Sequence, residues 1–90
     1  MNENMITPII HINGSAPANL KDSYDNAMYS LRDFTAAWER VEFNSRDYYV
    51  HEDPNAFKEA QLERAEMSEN IRLVGEYINT IREALDEQSV

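Results

Sequence analysis

Ninety residues with seventeen acidic and eight basic side chains carry a net charge of −9 at neutral pH, with 42% apolar residues and no cysteine. A chain of this length makes one domain, 1–90, with a modest core, and the missing thiols exclude disulfides and thiolate metal sites. No apolar run reaches the length of a membrane span and the opening MNENM lacks the features of a secretory signal, so a soluble, cytoplasmic protein is expected.

Residues 1–5 and 88–90 are expected to be disordered. The segment ITPIIHI, 6–12, is rich in β-branched residues and reads as a short extended arm. A lone strand is not stable, so the arm must lie across the fold or pair with another copy. NGSAP then announces a helix, with Asn13 or Ser15 able to cap and Pro17 tolerated in the opening turn. The first helix is predicted over 16–43, where Leu20, Tyr24, Ala27, Leu31, Phe34, Trp38 and Val41 follow at steps of four and three. Residues 44–52 are the connector. A second helix is predicted over 54–87, with Asp53 as N-cap, Pro54 at the first helical position, and a matching row from Phe57 through Ala60, Arg64, Met67, Ile71, Val74, Ile78 and Ile81 to Leu85. Gly75 inside it costs about 1 kcal/mol against alanine.

A 4–3 stripe lets two helices pack side by side with a gentle crossing. The expected fold is therefore all-α, an antiparallel helical hairpin with an extended N-terminal arm. Apolar residues also flank the seam: Met28 and Ala36 on the first helix, Leu73, Tyr77 and Ala84 on the second. A stripe wider than one seam asks for more than one neighbour. With no disulfide available, self-association is the expected helper, most simply a dimeric four-helix bundle.

Two polar stretches are candidate binding elements. In HINGSAP, His11 to Pro17, the backbone of Asn13, Gly14 and Ser15 leads into a helix N-terminus that can attract an anion, and Lys21 would add a cation one turn later. Gly14 would permit a positive φ there. A plain capped turn is the competing reading. In the connector, Arg46 could clamp a phosphate or carboxylate, Tyr48 and Tyr49 could stack on a planar ligand, and His51 could donate or accept. Its structural alternative has the tyrosines covering the open end of the bundle while Arg46 pairs with Asp47 or Glu42.

Arg64 is a cation in an apolar row. It could be paired, point into a cavity, or snorkel along the bundle, and snorkelling is the expected outcome. No histidine-glutamate metal motif and no nucleophile with a matching base is present, so neither enzyme activity nor a metal or cofactor is expected. The eight basic residues are spread along the chain, which disfavours duplex DNA. The first helix would separate the two candidate elements by about 40 Å at 1.5 Å per residue. A site using both must then lie between subunits.

His11-Ile12-Asn13-Gly14-Ser15, followed by Leu20, Tyr24 and Ala27 and then by Asn44-Ser45-Arg46-Asp47-Tyr48-Tyr49, resembles a group of small helical phage and prophage proteins. Those carry an H-[IL]-N-G-[ST] motif, a Y-x-x-A helix and an N-x-R-D-Y-Y connector. The likeness covers residues 9 to about 63. Relatives often have Gly where this chain has Ser45, and a PQGPxAF-like turn where it has VHEDPNAF, which sets His51 apart from the shared pattern. The resemblance implies a setting, an infected bacterial cell, in which a small acidic oligomer blocks a host defence. One mechanism is sequestration of a nucleotide immune signal by Arg46, Tyr48, Tyr49, His11, Asn13, Gly14, Ser15 and Lys21 at intersubunit sites. Alternatives are an acidic DNA mimic that inhibits a host defence protein, and a structural hairpin with no ligand.

Overall fold

The structure, a computed structural model, describes residues 5–88. Two helices, α1 (Pro17–Glu39) and α2 (Ala56–Gln88), are joined by a connector containing a single 3-10 turn, Ser45–Asp47. Among the described residues there is no strand. Lys21 pairs with Asp86, Asp25 with Arg82 at 2.8 Å, and Trp38 Nε1 donates to Ser68 Oγ at 3.0 Å. Positions early in α1 thus meet positions late in α2, and the hairpin is antiparallel as expected.

Each helix boundary has a local cause. Pro17 opens α1 with its φ already near the helical value and no N–H to waste. The N-cap is Ala16, with no side-chain hydrogen bond, so neither Asn13 nor Ser15 caps the helix. The chain has turned just before: the Gly14 N–H donates to the His11 carbonyl at 3.1 Å. Gly14 does not adopt a positive φ. A Cβ there would lie 2.9 Å from His11 Nε2, the far end of an exposed side chain that can swing aside.

α1 stops at Glu39, four residues short of the predicted end. The Arg40 and Val41 N–H groups close back on the carbonyls of Ala37 and Trp38 at 3.1 and 3.2 Å, tightening the last turn. The chain then leaves the helix, and Phe43 packs onto Phe57 with ring centroids 5.2 Å apart. Burying that ring offsets the helical turn given up.

α2 begins at Ala56, two residues later than predicted. Asp53 Oδ1 accepts the Asn55 N–H at 2.9 Å and its carbonyl accepts the Ala56 N–H at 3.1 Å. Asp53 therefore closes a local Asx turn, and Pro54 stands in that turn rather than in the helix.

The core is thin. Met28, Ala56, Ile78, Ile81 and Leu85 are the buried apolar residues, with Ile81 and Leu85 each 1% exposed. Leu20, Tyr24, Leu31, Thr35 and Trp38 flank them half-buried. Met28, expected at the edge, is the most enclosed residue of α1, whereas Ala27, Phe34 and Val41 of the predicted seam turn outward. On a helix these rows are adjacent, and a single neighbour can cover only one of them. The molecule measures 60 × 26 × 18 Å, with a radius of gyration of 18.9 Å. A compact chain of this length would have about 12 Å.

The arm runs along the last turns of α2. The Gln88 side-chain amide accepts the Ile10 N–H at 2.8 Å and donates to the Pro8 carbonyl at 2.9 Å, imitating one rung of strand pairing. Met5 lies beside Leu73 and Tyr77. Of the termini for which disorder is expected, 1–5 and 88–90, the described residues include Met5 and Gln88. The other positions lie outside the described residues.

Candidate functional site

The connector is anchored by aromatic packing. Tyr48 meets Phe43 edge-on at 5.5 Å and Phe57 at 5.7 Å, completing a three-ring cluster with the Phe43–Phe57 stack. Arg64 roofs this cluster. Its guanidinium lies 4.3 Å from the Trp38 ring centroid and 5.1 Å from that of Phe43, and Nη2 donates to the Trp38 carbonyl at 2.9 Å. Snorkelling is therefore corrected: α2 lends a cation to the C-terminal end of α1, where carbonyls and the helix dipole are negative and α1 has no basic residue of its own in its last turn.

The candidate residues of this loop divide. Tyr48 is half-buried and committed to the cluster. Tyr49 is 77% exposed, and Arg46 and His51 are exposed as well. Among the described residues Arg46 has no ion pair with Asp47, Glu42 or any other acid. The connector so keeps one cation and one ring facing solvent, while its other tyrosine holds it in place.

The carboxyls of Asp53 and Glu59 share a hydrogen bond at the start of α2. The Asn55 N–H and then Glu59 hold Asp53 below the usual aspartate value, and Glu59 is pushed above the usual glutamate value by that bond and by the neighbouring Asp53 charge. Among the described residues no group of three or more histidine and acidic side chains is arranged to hold a metal ion.

At the opposite end of the hairpin, His11, Asn13, Gly14 and Ser15 are exposed in the turn that precedes α1. Lys21 is not available beside them as an unpaired cation. It bonds Asp86, which raises its pKa above the ordinary lysine value. Its role is to tie the start of α1 to the end of α2.

The two polar stretches are not brought together. At about 1.5 Å per residue, the 23 residues of α1 alone separate them by roughly 35 Å. Between them lies a feature that the reading of polar motifs missed. A groove of about 390 Å³, lined by Leu31, Phe34, Trp38, Met67, Ile71 and Val74, runs along one face of the hairpin. All six belong to the 4–3 rows expected to form the seam between the helices, which the hairpin covers only in part.

Comparison with protein-family models, with curated proteins and with solved structures gives no match.

Proposed function

We propose that this chain is a non-catalytic binding protein, a homo-oligomeric helical bundle that sequesters a small nucleotide-type ligand at sites between its subunits. In the phage setting that the motif resemblance implies, the ligand would be a nucleotide immune signal and the protein a counter-defence factor. The observation that carries this reading is the pairing of Arg46 and Tyr49 on one loop. A guanidinium with no ion pair among the described residues suits a phosphate, and an exposed ring suits a base. The His11–Ser15 turn would come from an antiparallel partner, because one subunit cannot span the distance.

Tyr48 and Lys21 drop out of the proposed contact set, since both are engaged in holding the fold. That engagement favours a second reading, a structural or protein-binding hairpin without a ligand. Thermal denaturation against cyclic di- and trinucleotides and ADP-ribose derivatives separates the two. A true ligand at a hundred times its Kd adds about 2.7 kcal/mol of stability. Arg46→Ala should abolish the shift and leave the oligomer intact. A shift that survives Arg46→Ala removes this loop from the site, and a flat panel leaves the protein-binding reading.

A further inference from the structure

We propose that the apolar groove formed by Phe34 and Trp38 of α1 with Met67 and Val74 of α2 is the seat of a second copy of this chain, which lays the same groove against it. The proposal rests on the oligomeric part of the function proposed above and names the face that makes the oligomer.

The two faces of the hairpin differ in chemistry. On the groove side Phe34 is 52% exposed, Met67 45% and Val74 49%, with Leu31 and Ile71 between them. Asn70 is the single polar residue of the lining apart from the Trp38 indole, whose N–H is already bonded to Ser68. The opposite face is rimmed by Arg32, Glu39 and Arg72. The apolar groove on one side and the charged rim on the other set these two faces apart.

The sequence pattern supports a helix as the occupant. Ser23, Ala27, Ser30, Phe34, Ala37 and Val41 follow at steps of four and three, all exposed and none charged. Elsewhere the exposed surface of α1 carries Asp22, Arg32, Asp33 and Glu39. A 4–3 row is the pattern by which one helix seats on another, and α2 already occupies the neighbouring row centred on Met28. The small side chains of this second row allow a facing backbone to come close.

Area and symmetry point to a second copy. The chain exposes 7163 Å², against about 5,400 Å² for a compact protein of 10.5 kDa. The difference, about 1,800 Å², exceeds the roughly 800 Å² per partner that a standard interface covers. Among the 90 residues, the six outside the described span include only two apolar side chains, Met1 and Val90, too few to fill the groove. The groove also sits at mid-length of α2, with Ile71 next to the central residue, Arg72. A two-fold rotation there carries groove onto groove, which is the requirement for an isologous dimer.

The absence of cysteine makes the test clean. Single variants Asn70→Cys, in the groove, and Ala36→Cys, on the opposite face, are treated with a short bismaleimide and run on a denaturing gel, with light scattering of the untreated protein. The expected result is an oligomer in scattering, a covalent dimer from Asn70→Cys and none from Ala36→Cys. Phe34→Glu with Val74→Glu should halve the scattering mass, and the cross-link decides the matter if that variant fails to fold. An oligomer that Asn70→Cys does not trap overturns the face while the oligomeric reading stands. A folded monomer at micromolar concentration overturns both.

Discussion

Arg64 shows how one residue can look misplaced in sequence and be required in the fold. A cation in an apolar row suggests a compromise, yet its guanidinium caps the Trp38 carbonyl and stacks on Trp38 and Phe43. Arg64→Met retains the apolar stem and deletes the cap and the stack, so urea unfolding should show a loss of about 1–3 kcal/mol. Arg64→Lys should not recover it, because an ammonium lacks the planar fork that does both at once. Glu59 gives a second prediction at this scale. Its carboxyl is held above the usual 4.5, chiefly by the hydrogen bond to Asp53. A carboxyl raised in the folded state favours folding below its ordinary pKa, and that contribution is lost as pH rises through the folded value. Glu59→Gln keeps a donor for Asp53 and removes the charge. It should raise Tm at neutral pH and have no effect well below 4.5, where folded and unfolded chains are both protonated. A pH series of melting curves on the two proteins checks this.

At the scale of elements, Gly75 sets how closely the helices approach. Alanine would gain about 1 kcal/mol of helix propensity. The added Cβ would lie 3.3 Å from Leu31 Cδ2, tight by a few tenths of an ångström, but the neighbour is the far end of a half-buried side chain beside a groove and can move. Gly75→Ala should therefore raise the urea midpoint, whereas Gly75→Leu, which cannot be absorbed this way, should lower it. The hairpin, its antiparallel sense and its connector were legible because helical periodicity and a Pro-containing turn are local signals. The ends were not. Whether 40–43 stays helical depends on Phe43 finding Phe57 and Tyr48, rings that lie beyond its own helical turn.

At the scale of the molecule, a 60 Å rod with five buried apolar residues among those described has little core of its own. If association completes that core, the unfolding midpoint must rise with protein concentration. For a dimer, each tenfold increase adds about 1.4 kcal/mol per mole of dimer. A melting temperature that stays constant between micromolar and hundred-micromolar protein would mean that the hairpin stands alone. Of the candidate site, the sequence showed which residues were chemically capable. It could not show that Tyr48 would be spent on packing and Lys21 on Asp86, since both commitments cross between segments distant in the chain.

What the sequence by itself determined was helix type, helix number, the turn between them and the presence of more apolar positions than one seam can hold. All of these follow from the spacing of side chains along a 3.6-residue helix. Only the tertiary structure decided which of two adjacent rows on α1 became the core and which was left outside. Both rows satisfy the same period. The choice between them is made by the rotation of α1 against α2, where Met28 turns inward and the Asp25–Arg82 and Lys21–Asp86 pairs hold the register.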